Sequence, residues 1–496
     1  MLLRVRKINS AALYLILGST CGLIVALQMI RVAHPDVDVS AFMVVGAGWL
    51  HGYLPYSALW DHKPPGLYLL AALASAAGDV WGWVRIFSII SVTGTALLIG
   101  RLASRASGSR LVLIMGALAT AIVLSGPSFA EGGGMSETFA LLFMTLSLSL
   151  ALIDGSRRRD LLSGLAAGLA LSFSLQAVII LPVIGALMLG HGLKALTRLG
   201  SWGVGILLII GLLAIPFALG GGLSAAFDAL VNYDLLYHAS AGSRSVLFWA
   251  LVFFAYGLPW IFTLLVIALP LGPETADRRL FRATWFWLGL TLLWLIYGGR
   301  FYSHYALLFV TPAALLFGLA LAKLRRLANR AGAIAMSLTL IFTCGLGLWI
   351  QSAPLLTAAD SAAPGNASVV YIEAHSGPND TIYVWGDAPW LYVASNRAPA
   401  SRYFYLLPLM TPGYSESAVA ETLASWSARP PEIIVDASAY PEQQQLAPLL
   451  LPHAIDSNED QRNLTKPLDP LRAFVLEHYR PVGYFGALPI YQLETP

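Results

Sequence analysis

Long apolar stretches separated by short polar ones fill the first 350 positions and then cease. Read as membrane-spanning helices, which need about 17–25 residues, they lie near 11–31, 83–100, 111–127, 137–153, 161–175, 177–190, 200–220, 247–269, 281–298, 304–322 and 331–350, about eleven in all. The segment "GLYLLAALASAA" (66–77) is equally apolar but only a dozen residues long. At about 1.5 Å per residue it cannot cross a core about 30 Å thick, so it predicts a helix lying in the membrane interface. After Gln351 the pattern changes to short runs among Asp, Glu, Asn, Gln and Pro. There "DTIYVWG" and "PEIIVDAS" read as buried strands, "APWLYVAS" as a helix between them, and "PVGYFGALPIYQL" as a closing hairpin bent at Gly483 and Gly486. The predicted fold is an all-α polytopic membrane domain over 1–350 followed by a small α/β domain over 351–496.

Composition agrees with that reading. Hydrophobic residues make up 57% of the 496 positions and charged residues 11%, against about 25% charged in soluble domains; mean hydropathy is +0.69. The charges also orient the spans. With a cytoplasmic N-terminus, basic clusters at Arg4–Lys7, Arg101–Arg110, Arg157–Arg159, Lys194–Arg198, Arg278–Arg282 and Lys323–Arg330 all fall on the inner side, while the outer loops hold Lys63, Arg244 and Arg300. One missed span would invert every later loop, so the asymmetry supports an odd count and an extracytoplasmic C-terminal domain. The first run follows basic residues as a signal peptide would, but its length and the lack of a cleavage-like end predict a retained span. A net charge of +3 spread along the chain gives no nucleic-acid patch. Cys21 and Cys344 lie in apolar runs and read as buried free thiols.

On this topology the chemically useful side chains face outward. The first outer loop holds Asp36, Asp38, Asp61, His62 and Lys63, the second Glu131 and Glu137, and "YGGRFYSHY" holds Arg300, His304 and Tyr305. Charged groups at a membrane boundary are functional candidates by default, yet each has a plainer role. Asp36 or Asp38 can cap a helix beginning near Ser40; Lys63 can snorkel at the interface; Pro64 and Pro65 suit a helix start. Glu131, beside three glycines, reads as a solvated loop acid, and His304 as a satisfied interfacial histidine.

The order of an acid after the first span, then "GYLPYSALWDHKPPGLYLLAAL", then an Arg-containing second span resembles the GT-C superfamily of membrane glycosyltransferases. The similarity is to the branch holding bacterial protein mannosyltransferase homologues, the lipid A aminoarabinose transferase and the rhizobial lipopolysaccharide galacturonosyltransferases. It extends over roughly residues 11–322. In that branch the loop acid stands about seventeen residues before a Pro-Tyr pair, which favours Asp38 over Asp36; the family's frequent second acid is missing, Val39 standing there. Glu137-Thr-Phe matches a second acid before an aromatic span, and "GRFYSHYALLFVTPAALL" matches a late loop of Arg, then His-Tyr, then a proline in the next span.

The resemblance implies inverting transfer of a sugar from a polyprenyl-phosphate donor to a glycan, lipid or protein acceptor at the outer face of a bacterial inner membrane. In this scheme Asp38 is the base that deprotonates the acceptor hydroxyl, and Glu137 positions hydroxyls. Lys63, Arg85, Arg300, His304 and Tyr305 hold the donor phosphate; Asp36, Asp61, His62 and Glu131 are accessory candidates. No His/Cys/Asp cluster has ligand spacing, so neither metal nor cofactor is expected. The C-terminal domain is expected to cover the membrane site or bind acceptor. Rival readings are a lipid-linked glycan polymerase or ligase and a multi-pass transporter. The transporter is disfavoured because the halves show no repeat and the acids gather at one face.

Overall fold

The structure, a computed structural model, describes residues 9–32, 34–153, 156–239, 277–298, 302–327, 365–386, 388–438, 449, 466–486 and 488–494. Five described helices are long and apolar enough to cross a membrane: Ser10–Met29, Val80–Arg105, Ala195–Leu219, Arg278–Gly298 and Ser303–Lys323. Shorter apolar helices include Val37–Leu50, Pro65–Ala76, Arg110–Leu124 and Ser136–Ala151. The expected spans at 247–269 and 331–350, together with Cys344, lie outside the described residues. Cys21 is buried and free.

The chain divides into two compact units, one of Met1–Val32, Val84–Leu213 and Ser243–Thr357, the other of Ala33–Trp83, Ala214–Gly242 and Ala358–Pro496.

In the first unit small residues let helix backbones approach, as expected where lipid supplies no hydrophobic drive between helices. A Cβ at Gly164 would collide with the carbonyl of Trp202, and one at Gly205 with the carbonyl of Leu161. Ser147 and Ser163 exchange hydroxyl-to-carbonyl hydrogen bonds of 2.7 and 2.9 Å, joining helices Ser136–Ala151 and Arg157–Phe173. The helix Ala306–Leu327 is buried along most of its described length, whereas Ser10–Met29 and Ala195–Leu219 present exposed Leu15, Leu23, Leu207 and Leu212. Apolar residues around a whole helix face suit a lipid environment.

Arg198 is more than a topology signal. It is buried, with Nη2 2.8 Å from Asp160 Oδ1, and it also donates to the carbonyl of Ala151 at 3.0 Å. Its Nη1 lies 2.7 Å from His191 Nε2, and Arg279 Nη2 lies 2.8 Å from the same nitrogen. His191 Nδ1 faces the carbonyl of Leu187 at 3.0 Å, which assigns the proton to Nδ1 and leaves Nε2 to accept from the guanidinium groups.

The second unit joins the segment Ala33–Trp83 to the C-terminal module. Helices Val37–Leu50 and Pro65–Ala76 pack so closely at Gly46 that an added Cβ would lie 2.5 Å from Ala71 Cβ. Pro65 occupies the first helical turn, where the missing N–H costs nothing. The module carries five strands: β1 (Thr381–Trp385), β2 (Ala398–Pro399), β3 (Ile433–Asp436), β4 (Tyr479–Phe485) and β5 (Leu488–Leu493). They order as β2-β1-β3-β5-β4, with β1 parallel to β2 and β3 and the β4–β5 hairpin antiparallel. Both strands and the hairpin expected from sequence are present, as is the intervening helix at Trp390–Ala394. The hairpin turns at Gly486, φ 69°, and its register shifts between Pro481 and Gly483.

Candidate functional site

The helix Val37–Leu50 brings the first acids into place. Asp36 is its N-cap, its carboxylate accepting the N–H of Asp38 at 2.8 Å; the capping role foreseen for it is what the structure shows. Asp38 sits in the first turn, partly exposed, its Oδ2 3.9 Å from Lys63 Nζ. The pair unites a candidate base with a candidate phosphate-binding cation.

Beneath Lys63 lies a hub that the sequence did not reveal. Asp61 is 1% exposed. Its Oδ1 accepts the N–H of His62 at 2.8 Å and the hydroxyl of Tyr405 at 3.0 Å, and its Oδ2 accepts the hydroxyl of Tyr68 at 3.0 Å. Tyr68 in turn accepts the N–H of Lys63 at 3.0 Å, while Tyr56 donates to the Lys63 carbonyl at 2.8 Å. Both backbone groups of Lys63 are therefore fixed by tyrosines, one of them held by Asp61. Tyr56 has φ 67°, a left-handed conformation costly for a bulky residue and one that recurs at functional loops. Burial pushes the Asp61 carboxyl up, but hydrogen bonds from His62 and the nearby charges of His62 and Lys63 outweigh it and hold the group below its ordinary value.

An aromatic wall completes this part of the second unit. Trp60 is fully buried; its Nε1–H donates to Tyr414 at 3.1 Å, and Tyr414 donates to Asp228 at 2.9 Å. The ring of His62 lies 5.3 Å from that of Tyr233 and 5.7 Å from that of Tyr237. Its Nδ1 is 3.4 Å from Asp61 Oδ1. No periodicity announced these tyrosines, because they come from three distant segments; the one signal was their density in "SRYFYLLPLMTPGY".

The first unit holds the other candidates. Glu131, at φ 48°, accepts from the Ser303 hydroxyl and lies 3.8 Å from His304 Nδ1, so it is tied to the late loop and is not simply solvated. His304 is buried, stacked on Tyr302 at 5.7 Å and edge-on to Tyr305 at 4.8 Å. The guanidinium of Arg85 donates to the carbonyl of Val32. Glu137, 1% exposed in the first turn of its helix, has no hydrogen-bond partner for either carboxylate oxygen among the described residues. Arg300 lies outside the described residues. The structure thus joins Asp36, Asp38, Asp61, His62 and Lys63 in one unit, and Glu131, His304 and Tyr305 in the other.

No protein-family model matches the sequence, and no curated protein does. Among solved structures, ArnT from Cupriavidus metallidurans in the apo state overlaps with a TM-score of 0.59 at 14% identity, covering 97% of this chain and 98% of that one. ArnT bound to undecaprenyl phosphate overlaps with the same score at 13% identity and the same coverage. The oligosaccharyltransferase of Archaeoglobus fulgidus, in complex with zinc and sulfate, covers 85% of this chain and 67% of its own at a TM-score of 0.45, too loose to speak to the fold. End-to-end overlap with ArnT shows that this chain shares that protein's fold, with described helices long and apolar enough to cross a membrane and a small C-terminal sheet.

Proposed function

We propose that the protein is an inverting glycosyltransferase that moves a sugar from a polyprenyl-phosphate donor to an acceptor hydroxyl at the outer membrane face. The observation that carries this reading is the Asp38–Lys63 pair, 3.9 Å apart above a buried hydrogen-bonded hub. ArnT, whose fold this chain shares, has been solved with undecaprenyl phosphate, which supports a lipid-phosphate donor. In the reaction Asp38 takes the proton of the acceptor hydroxyl as its oxygen attacks the anomeric carbon. The bond from that carbon to the phosphate oxygen breaks on the opposite side, and polyprenyl phosphate departs with the electron pair. Lys63 trades its contact with Asp38 for the phosphate, stabilising the growing charge and freeing the carboxylate to act as base. The roles of Glu137, Arg85, Arg300, His304 and Tyr305 rest on the sequence resemblance alone.

Purified protein in detergent is incubated with radiolabelled polyprenyl-phosphate sugars and envelope extract, and label is followed from lipid to acceptor. Wild type consumes one donor, and Asp38→Asn loses about 100-fold or more in turnover while still binding polyprenyl phosphate. Normal turnover by the Asn variant removes Asp38 as base. If no donor is consumed while a solute crosses vesicles carrying the protein, the transporter reading takes its place.

A further inference from the structure

A stripe of exposed apolar residues runs along a segment of the second unit to which the reaction above gives no role. Helix Ala195–Leu219 ends at Gly220-Gly221-Gly222, where Gly221 takes φ 71°, a left-handed turn open to glycine. A Cβ at Gly222 would lie 2.6 Å from Leu54, so the turn is seated against the loop that follows helix Val37–Leu50. Beyond the turn the chain is helical from Leu223 to Ala239, with a π-helical stretch over Asp228–Asn232.

Leu223, Phe227, Val231 and Leu235 are 50%, 59%, 38% and 66% exposed, whereas Ala226, Ala229, Tyr233 and Tyr237 are buried. In a plain α-helix residues four apart drift by about 40° per step, which would carry the last of the four well off the face of the first. The wider i→i+5 turn takes up that drift. One face therefore stays apolar and open while the other stays packed. On the packed face Tyr233 lies 4.6 Å from Trp60 between ring centroids and shares a 2.9 Å hydrogen bond with Thr411, and Tyr237 meets His62. The polar margin is satisfied within the protein: Asn232 donates to Asp228 at 3.1 Å, and Asp228 accepts from Tyr414.

What covers the open face follows from the helix it continues. Leu207, Leu208, Leu212, Ile215 and Leu219 are exposed on Ala195–Leu219, which is long and apolar enough to cross a membrane, and the exposed apolar run resumes at Leu223 directly after the three glycines. Leu223–Ala239 extends about 25 Å at about 1.5 Å per residue, short of a hydrocarbon core about 30 Å thick. It also carries Asp228, Asn232 and Asp234, so it lies along a membrane and does not cross it. Two-faced helices of this kind rest with the apolar face about 5–10 Å into the boundary between headgroups and acyl chains.

We infer that Leu223–Ala239 is an interfacial helix whose partner is lipid, with Leu223, Phe227, Val231 and Leu235 against phospholipid acyl chains. Its two faces stand about one helix diameter apart, about 10 Å, so the packed face holds Trp60 and His62 at the depth of the headgroups. On the glycosyl-transfer reading, on which this one consequence rests, Lys63 meets the phosphate of a polyprenyl donor without the lipid leaving its leaflet.

The test is collision-based spin-label spectroscopy on the full-length protein in vesicles of phosphatidylcholine and phosphatidylglycerol, in a Cys21→Ala, Cys344→Ala background. A nitroxide is attached in turn through Leu223→Cys, Phe227→Cys, Val231→Cys and Leu235→Cys. Leu207→Cys serves as the lipid reference and Glu416→Cys, at an exposed position of helix Ser415–Ala428, as the water reference. Oxygen, which concentrates in lipid, is expected to relax the four labels more than a water-soluble nickel complex does, as at Leu207, with the ratio reversed at Glu416. Labels relaxed as at Glu416 place the face in water, and labels shielded from both reagents place it under protein, a second copy included; either result overturns the inference. Every variant is checked for an unchanged thermal midpoint, and where one unfolds the other three decide. Collisions are read without turnover. A lipid-exposed stripe in a protein that consumes no donor keeps the interfacial helix and removes the glycosyl-transfer reading, and a water-exposed stripe in an active enzyme does the reverse.

Discussion

The hydroxyl of Tyr405, in the C-terminal module, donates to Oδ1 of Asp61, in the loop before helix Pro65–Ala76, at 3.0 Å. Hydrogen bonds to a buried charged group contribute about 1.5–3 kcal/mol each. A double-mutant cycle of Tyr405→Phe and Asp61→Ala is therefore expected to give a coupling energy in that range by denaturant unfolding. A coupling near zero would mean that the two groups do not meet in solution.

Asp61 also sets a pH dependence. Its carboxyl titrates below its ordinary 3.8 in the folded protein because His62 and Lys63 favour the charged form. The unfolded chain then binds the proton more readily, so the contribution is complete above the unfolded value and is lost as pH falls from about 4 through the folded value. The difference in thermal midpoint between wild type and Asp61→Asn should stay constant from about pH 5 to 7 and shrink below about pH 4. A difference that grows on acidification would reverse the sign assigned here.

Lys63 gives a sharper kinetic prediction. Its backbone is fixed on both sides by Tyr56 and Tyr68, so changes confined to the side chain leave the loop in place. Lys63→Met should lower kcat/KM for the donor by about 10–100-fold, as expected when one charged contact to a phosphate is lost. Lys63→Arg should recover part of it. The Tyr68→Phe variant, which cuts the link between Lys63 N–H and Asp61, should show a smaller loss with a lowered thermal midpoint.

Glu137 is buried, and neither of its oxygens has a hydrogen-bond partner among the described residues, a state that opposes folding. Glu137→Gln is expected to raise the thermal midpoint while lowering turnover, the trade-off typical of groups kept for function. A variant both less stable and equally active would mark Glu137 as structural.

In the first unit, Arg198→Ala should cost about 3–5 kcal/mol by leaving Asp160 as a buried unpaired charge; the double variant with Asp160→Asn should recover much of it. Unfolding in detergent measures both.

Much of this architecture was legible in the sequence because apolar runs are local signals. Helix Pro65–Ala76 was readable from length alone, Asp36 from capping preference, and the β4–β5 hairpin from its glycines. Asp61, His62 and Arg198 were not readable in the same way. Their roles come from partners far along the chain, and a charged residue in a loop looks the same in one-letter code whether solvated or enclosed. The grouping of the segment Ala33–Trp83 with the C-terminal module followed no composition boundary, since the contacts that define it join tyrosines from separate segments.

The Tyr405–Asp61 bond spans 344 positions, and this fixes a sequence of events during biosynthesis. When the segment around Asp61 leaves the ribosome it has only its local donors, and the tyrosine that completes the hub is not yet made. The loop bearing Lys63 reaches its final form only after synthesis has passed Tyr405. A ribosome that stalls before Tyr405 therefore leaves a chain whose Asp61 hub is incomplete.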